Sequence, residues 1–254
     1  MLEWLVDAGA DEAVGDTPAD RFRVRKPIPV PEVQQRAAAR LPEPKQPLSP
    51  SPDAVGSAMD VAASCKTLAE LKSALEVFDG CALKTFATHT VFADGTPDYG
   101  IMCIGEAPGQ EEDRMGLPFV GRAGKLLDKM LGAIGLDRSK VYIVNVLPWR
   151  PPDNRNPEPT EVAKCILFLR RHIELAQPKV LILLGAVSVR HVLGHTEGIM
   201  RARGHWQQYH VAGAMVPVMP TLHPAYLLRR PVDKRLAWRD LQAIASRIET
   251  LGLI

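Results

Sequence analysis

The segment GEAPGQEED, residues 105–113, combines a glycine-containing turn with an unusual density of acidic side chains. It follows the apolar run YGIMCIG (99–105), which predicts a buried strand. A turn after a strand often binds phosphate through backbone N–H groups, but carboxylates would repel a phosphate. Carboxylates near a reacting centre instead orient water, act as a base or stabilise a developing cation, as cleavage of a glycosidic bond requires. We predict this role for Glu106, whereas Glu111 and Asp113 fit a solvated turn and helix caps better.

Two more polar side chains stand at or near the ends of predicted strands, Asn145 in KVYIVNVL (140–147) and His223 before Pro224. An Asn amide presents a donor and an acceptor side by side, which matches the O4 acceptor and N3–H donor of uracil and rejects cytosine, whose polarity is reversed. The alternative for Asn145 is a buried amide satisfied by the backbone. Proline restricts His223 to extended backbone, and its imidazole could then donate a hydrogen bond to a base oxygen that gains charge as the bond breaks.

The segment GLPFVGRAG (116–124) places an aromatic ring on a turned loop before a predicted helix. Phe119 could stack on a flat ring in a ligand crevice, or it could be ordinary core packing. Arg122 and Lys125 lie near the start of that helix, where cationic side chains and backbone N–H groups together attract phosphate. Both roles of Phe119 stay open at this point, and we predict that the two cations contact phosphates of DNA.

The stretch AYLLRRPVDKRLAWRD (225–240) interleaves basic and apolar residues. Leu227 and Leu228 stand directly before Arg229, a combination suited to a wedge that enters a base stack while cations contact phosphates. A solvated helix that buries its leucines is the alternative. We predict that Leu227, Leu228 and Arg229 contact DNA.

Strands and helices must bring these residues together, and their predicted order indicates an α/β fold. The strands are 99–105, 140–147, 179–185 and 216–224, and the helices are 67–78, 121–135, 160–176 and 232–251. Strands that are apolar on both faces favour a three-layer α/β/α fold with a central four-stranded parallel sheet. Ligands bind beyond the carboxyl ends of such strands, so Glu106, Asn145 and His223 should border one crevice.

The composition of the chain limits the partners and the cell compartment that we expect for it. The chain has 254 residues, of which 46% are hydrophobic, and a formal net charge of +2 that neither demands nor excludes nucleic acid. No apolar run approaches the roughly 20 residues of a membrane span. The N-terminus lacks a basic and apolar leader, so we predict a cytoplasmic protein, and we expect a monomer without membrane contact.

Prolines concentrate between residues 18 and 52, where they alternate with charged and small residues. Such a segment buries too little apolar area to offset the entropy of ordering it. We therefore predict a Pro-rich, mostly disordered N-terminal extension over residues 1–59 and one folded domain over residues 60–254.

Four segments carry a family resemblance, because they stand in the order and at the spacing of that family. They are GEAPGQEED (105–113), GLPFVGRAGKLLDKML (116–131), VYIVNVLPWRPPDNRNPEP (141–159) and TLHPAYLLRRP (221–231). Over about residues 66–250 the chain resembles the uracil-DNA glycosylase superfamily, and most closely its type-4 branch. The resemblance implies a DNA repair enzyme that flips uracil out of DNA and hydrolyses its N-glycosidic bond, since the reacting carbon is inaccessible in the stack.

The resemblance also implies catalytic, uracil-binding and duplex-probing roles for individual residues. The catalytic residues would be Glu106, which positions water and faces the cationic sugar, and His223, which supports the departing base anion. The uracil-binding residues would be Ala107, Glu112, Phe119 and Asn145. The residues of the loop that probes the duplex would be Leu227, Leu228 and Arg229. DNA containing uracil is the partner that follows.

The chain departs from the type-4 pattern at the ligands of a metal cluster. The resemblance implies a [4Fe–4S] cluster held by four cysteines, and Cys81 and Cys165 stand at two of these positions. Phe78 and Trp149 occupy the other two positions, and neither side chain can ligate iron. We therefore expect no metal and no other cofactor in this protein.

Three other functions remain open at this level. The chain could act on another deaminated base such as hypoxanthine or xanthine, because purine selectivity depends on pocket shape. It could bind DNA that contains uracil without efficient turnover. A small-molecule glycosidase or nucleosidase is the third, and the Leu-Leu-Arg wedge argues against it, because a free nucleoside needs no probe of a base stack.

Overall fold

The computed structural model describes residues 52–194 and 196–254, in which helices and strands alternate. The strands are β1 (Asp94–Gly95), β2 (Ile101–Gly105), β3 (Tyr142–Asn145), β4 (Val180–Leu184), β5 (Gln207–Val211) and β6 (Ala214–Thr221). The α-helices are α1 (Pro52–Ser64), α2 (Leu68–Val77), α3 (Gln110–Met115), α4 (Arg122–Gly132), α5 (Pro159–Ala176), α6 (Ala186–Leu193), α7 (Ile199–Ala202), α8 (Pro224–Arg229) and α9 (Lys234–Thr250). Within the described ranges, no helix is both long enough and apolar enough to cross a membrane.

Helix α1 crosses the boundary that we predicted between residues 59 and 60. Its Ala58 and Ala62 are buried in the core, so the helix packs on the domain from both sides of that boundary. The sequence signal was weak because alanine and glycine supply little of the apolar contrast that marks an amphipathic helix. The part of the predicted extension that ends at Ser51 lies outside the described residues.

The described strands form one six-stranded sheet in the order β1-β3-β2-β4-β6-β5. The four central strands β3, β2, β4 and β6 are parallel, which confirms the predicted parallel sheet. The predicted number of strands was too low, because β1 and β5 add an antiparallel strand at each edge. Strand β1 has two residues, and β5 alternates in exposure instead of forming an apolar run, so neither resembles a central strand.

Side chains from the two faces of the sheet enter separate core layers, because successive residues of a strand point to opposite faces. On one face, Met102 and Ile104 of β2 belong to a core layer with residues of α1, α2 and α5. On the other face, Ile101 and Cys103 share a layer with residues of α4 and α9. The arrangement confirms the predicted three-layer α/β/α fold.

The carboxyl ends of the parallel strands meet at one edge of the sheet. Gly105 at the end of β2 pairs with Asn145 at the end of β3, and Leu184 of β4 pairs with Thr221 of β6. Glu106 follows Gly105 directly, and His223 follows Thr221 after one intervening residue. The edge therefore gathers the three side chains that we predicted at one crevice.

Candidate active site

Asn145 and Phe119 flank the end of β2, where a glycine makes room for both. A Cβ atom placed on Gly105 would lie 2.4 Å from Asn145 Oδ1 and 2.5 Å from the ring of Phe119. Any larger residue would therefore displace the amide or the ring from its observed position. Gly105 therefore allows the amide and the aromatic ring to approach the same point at the sheet edge.

The side-chain oxygen of Asn145 is buried and has no hydrogen-bond partner among the described residues. The residue is 7% exposed. Leaving a buried polar atom unpaired costs about 1–3 kcal/mol, so such an atom calls for an explanation. A ligand that donates a hydrogen bond to Oδ1 would supply the missing partner. The alternative that the backbone satisfies this amide does not hold for its oxygen.

Phe119 is held in a left-handed backbone conformation, with φ at +55°. This conformation costs a non-glycine residue about 1–3 kcal/mol and concentrates at functional sites. The ring centroid of Phe119 lies 5.5 Å from that of His223. Helix α4 approaches the loop so closely that a Cβ on Gly124 would lie 1.5 Å from Phe119 O. The surrounding structure thus fixes the ring next to Asn145 and His223.

His223 is a neutral hydrogen-bond donor in this environment. Its Nδ1 accepts a hydrogen bond from the N–H of Ala225 at 3.1 Å, so the neutral ring carries its proton on Nε2. Burial, together with the positive charge of Arg229, lowers the pKa of His223 to about 4. At neutral pH the imidazole is therefore uncharged and can donate from Nε2.

Glu106 lines a pocket of about 300 Å³ together with His223 and Arg229. Its backbone oxygen accepts a hydrogen bond from the N–H of Leu147 at 3.0 Å, which ties the loop after β2 to the loop after β3. Burial raises the pKa of the Glu106 carboxyl above its ordinary value, although the positive charge of Arg229 opposes this effect. A carboxyl with a raised pKa in a cleft is a candidate general base.

The other three acids of this segment lie in the first turn of helix α3 and pair with groups of the protein itself. Glu112 accepts hydrogen bonds from the N–H groups of Gly109 (3.1 Å) and Gly121 (2.8 Å), and so joins the loop to the start of α4. Buried Asp113 accepts from the N–H and hydroxyl groups of Thr88 at 2.8 and 3.0 Å. Glu111 forms a surface ion pair with Arg114.

The structure therefore separates the residues that the resemblance grouped as uracil-binding. Ala107 lines the pocket beside Glu106, whereas both carboxylate oxygens of Glu112 are occupied by backbone N–H groups. In the part of the chain that the structure describes, each oxygen of Glu112 accepts one backbone hydrogen bond, so its observed contacts are structural. A direct contact of Glu112 with uracil stays a prediction.

The predicted DNA-contacting residues divide into exposed and buried side chains. Arg122 and Lys125 are exposed in the first turn of α4, and Arg229 is exposed at the end of α8. Leu228 is 36% exposed, whereas Leu227 is 1% exposed and lies in the core layer with α4 and α9. This corrects our prediction for Leu227, because a buried side chain cannot enter a base stack without leaving the core.

Sequence reasoning missed an arginine that contacts the Phe119 loop. Arg138 donates hydrogen bonds to Pro118 O and Phe119 O and forms ion pairs with Asp94 and Asp128. It stands in GLDRSK, between helix α4 and strand β3, where no periodicity or motif marks it. Its contacts join segments far apart in sequence, so no local pattern could have revealed them.

Four polar side chains that line the pocket also had no individual role in our predictions. They are Asn154, Arg155, Asn156 and Tyr226. Arg155 donates to both carboxylate oxygens of Glu161, which is buried at the start of α5. The segment NVLPWRPPDNR (145–155) follows a predicted strand, so its place near the crevice was expected, but no individual role followed for Asn154 or Arg155 from the sequence.

The residues at the family's cluster positions do not fit a [4Fe–4S] cluster. Cys81 and Cys165 face each other with their Sγ atoms 4.0 Å apart. Phe78 is buried against Phe168 with ring centroids 5.0 Å apart, and buried Trp149 donates from Nε1 to Thr90 Oγ1 at 3.0 Å. In the described part of the chain, no group of three or more His, Cys, Asp or Glu side chains is placed to hold a metal ion. Two thiols are half of the usual ligand set.

Type-4 uracil-DNA glycosylases from several organisms are similar to this chain. The sequence model of the family described as uracil DNA glycosylase superfamily matches residues 92–242, a range that contains all six described strands. A type-4 uracil-DNA glycosylase of Thermotoga maritima is 40% identical over 175 residues, which cover 68% of this chain and 90% of the relative. That of Sulfurisphaera tokodaii is 38% identical over 169 residues, with 65% and 77% covered. That of Archaeoglobus fulgidus is 42% identical over 155 residues, with 59% and 78% covered.

Proposed function

The chain belongs to the uracil DNA glycosylase superfamily, and from this premise we propose that it flips uracil out of DNA and hydrolyses the N-glycosidic bond. The reaction leaves an abasic site, as base excision repair requires. The observation that carries the proposal is the buried Oδ1 of Asn145, which lies beside the Phe119 ring and has no hydrogen-bond partner in residues 52–194 and 196–254. The names of the relatives favour uracil over another deaminated base, and excision over binding without turnover.

The base would be recognised by stacking and by the amide. Uracil enters with its ring on Phe119, and its N3–H donates to Asn145 Oδ1 while the amide nitrogen donates to O4. Cytosine presents an acceptor at N3 and a donor at C4, so it would leave both amide groups unpaired. The strained backbone of Phe119 supports this role, because it holds the ring before a base arrives.

Hydrolysis would use one anion and one neutral donor. As the glycosidic bond breaks, the sugar gains positive charge and the base gains negative charge. The ionised carboxylate of Glu106 favours the cationic sugar and orients the attacking water. His223 donates from Nε2 to the base oxygen that becomes negative, and its low pKa keeps this donor uncharged at neutral pH.

The duplex would be held by exposed cations near the pocket. Arg229 lies close enough to act electrostatically on both Glu106 and His223, and Leu228 beside it is partly exposed. We propose that Arg229 contacts a phosphate next to the flipped nucleotide while Leu228 takes its place in the stack. Arg122 and Lys125 would contact phosphates further along the strand. The monomeric state and the cytoplasmic location stay predictions from the sequence.

A substrate panel tests the proposed function. Single- and double-stranded oligonucleotides that carry uracil, thymine, hypoxanthine or xanthine are incubated with the full chain, and abasic sites are cleaved with alkali. We expect strand breaks at uracil and none at thymine. Absence of breaks at uracil would refute the proposal, and faster release of hypoxanthine or xanthine would assign the pocket to a purine.

We further propose that this enzyme carries no [4Fe–4S] cluster. Such a cluster is normally held by four thiolates, and only Cys81 and Cys165 stand at the family positions. The rings of Phe78 and Trp149 contribute apolar packing there, and burial of a Phe-sized side chain is favourable by about 1.5–3 kcal/mol. We predict a colourless protein after anaerobic purification, with no absorbance near 400 nm and far less than one iron per chain.

A double substitution provides the positive control for iron binding. Phe78→Cys with Trp149→Cys restores the family's four cysteines, so this variant should gain iron and absorbance after anaerobic reconstitution with iron and sulfide. Cys81→Ala with Cys165→Ala provides the negative control. A brown wild-type protein with about four irons per chain, all lost in the negative control, would contradict the proposal.

A further inference from the structure

Arg138 contacts the Phe119 loop through the backbone. Its guanidinium donates to Pro118 O at 3.1 Å and to Phe119 O through a second nitrogen. Two successive carbonyl groups of the loop are thus bound by one side chain. A planar guanidinium with five donors in a fixed fork can make both bonds at once, whereas a lysine ammonium is a compact point charge.

Two carboxylates from separate elements hold Arg138 in place. Its Nε donates to Asp128 Oδ1 of helix α4 at 2.8 Å, and a terminal nitrogen forms an ion pair with Asp94 of the edge strand β1. The Arg138 side chain is 26% exposed, so these bonds are partly shielded from water. Arg138 therefore anchors the Phe119 loop both to an edge of the sheet and to a helix.

The loop needs such an anchor at this residue. Phe119 has a φ of +55°, a conformation that persists only where the surrounding structure enforces it. The Phe119 carbonyl is bound by Arg138 and closely approached by Gly124, which leaves the backbone little freedom. The direction of the Phe119 ring, which lies 5.5 Å from the ring of His223, follows from that backbone.

We propose that Arg138 is a positioning residue for base recognition, which acts by fixing the ring of Phe119 over the base site. The inference rests on the proposed function, in which that ring stacks on uracil. Arg138 contacts neither the reacting atoms nor the phosphates in this role. Its contribution passes entirely through Phe119, and this sets it apart from an arginine that stabilises the fold in general.

A double-mutant cycle between Arg138 and Phe119 tests the proposal. kcat/KM for uracil release and the inhibition constant of free uracil are measured for the wild type, Arg138→Ala, Phe119→Ala and the double variant. Arg138→Ala should lower kcat/KM about 10- to 100-fold and weaken inhibition by uracil, because a misplacement near 1 Å costs about 10²-fold. In the Phe119→Ala background the Arg138→Ala substitution should lower kcat/KM by less than about twofold, because the ring that Arg138 positions is already absent.

Arg171 supplies a matched control variant. It also donates to a backbone carbonyl, Cys65 O, and pairs with a carboxylate, Glu174, and its side chain is 27% exposed. Arg171→Ala should lower the melting temperature while leaving kcat/KM and uracil inhibition at wild-type values. Arg138→Lys, which keeps the charge but not the fork, should recover less than a third of the lost kcat/KM.

The outcomes separate this proposal from the proposed function. Wild-type kinetics in Arg138→Ala, or a loss of equal size in both backgrounds, would overturn the positioning role while uracil excision by the wild type stands. An inactive wild type would instead refute the proposed function. If Arg138→Ala does not fold, Arg138→Lys decides through the same cycle, and wild-type kinetics in that variant would overturn the proposal.

Discussion

Replacing Glu106 by Gln will lower kcat for uracil release by about 10²- to 10⁴-fold, the range that a positioned general base contributes. The amide keeps the size of the side chain but can neither accept a proton nor oppose the positive charge on the sugar. Glu106 lines the pocket with His223 and Arg229, and the other acids of its loop are occupied by backbone groups or surface ion pairs. No neighbouring carboxylate of this loop is therefore free to replace it.

The pH dependence identifies the same residue. Burial raises the pKa of Glu106, and the base must be ionised to act, so the wild-type rate should fall as the pH decreases through that raised pKa. The pKa of His223 is lowered to about 4, and this ring keeps its Nε2–H on either side of that value. The acidic limb of the rate profile should therefore be absent from the residual activity of Glu106→Gln.

Binding measurements exclude a general defect in this variant. Glu106→Gln removes a negative charge from a pocket that faces DNA, so affinity for oligonucleotides that contain uracil should be unchanged or higher. A variant that retains more than about a tenth of the wild-type kcat, with an unaltered acidic limb, would show that another group acts as the base.

Replacing Asn145 by Ala will lower kcat/KM for uracil release by about 10²- to 10³-fold, comparable to the loss of a buried donor at a developing charge. The amide is buried and its Oδ1 has no hydrogen-bond partner among the residues that the structure describes, so the substitution breaks no hydrogen bond of that oxygen there. We therefore expect the melting temperature to change little. Affinity for DNA without uracil should also stay at the wild-type value, because the amide touches no phosphate.

Arg229→Ala provides the contrasting variant. Arg229 is exposed, and we expect its loss to weaken binding to DNA with or without uracil to a similar degree. If it neutralises one phosphate, the slope of log affinity against log salt should become shallower by up to about 1. Equal losses of DNA binding in both variants would contradict the separation between base recognition by Asn145 and phosphate contact by Arg229.

Patterns that are local in sequence were sufficient for the central architecture. Continuous apolar runs indicated the four parallel strands, helical periodicity indicated the helices between them, and the observed sheet confirms these strands. The two edge strands escaped prediction because β1 is a two-residue bridge and β5 has one exposed face. The rule that ligands bind beyond strand ends then placed Glu106, Asn145 and His223 together, since it depends on topology alone.

Residues of identical sequence character received different roles from packing. Leu227 and Leu228 are neighbours of the same type, yet Leu227 is 1% exposed and Leu228 is 36% exposed, because helix α8 turns one toward α4 and α9. Glu106 and Glu112 stand in one acidic sequence segment, yet both oxygens of Glu112 accept hydrogen bonds from the N–H groups of Gly109 and Gly121. A linear pattern cannot distinguish them, since the difference lies in which neighbour each side chain meets.

The sequence by itself determined the chemistry that is available, namely an acid after a buried strand, an amide inside a strand, a histidine fixed by proline and two missing cluster cysteines. The tertiary structure decided which of these groups meet one another and which are occupied by contacts within the fold. Arg138 reaches Phe119 across 19 positions and Asp94 across 44, and Cys81 meets Cys165 across 84. Periodicity and backbone restriction act over a few residues, whereas burial and hydrogen-bond partners arise when distant segments pack. The orientation of the Phe119 ring therefore depends on an arginine that no local pattern marks.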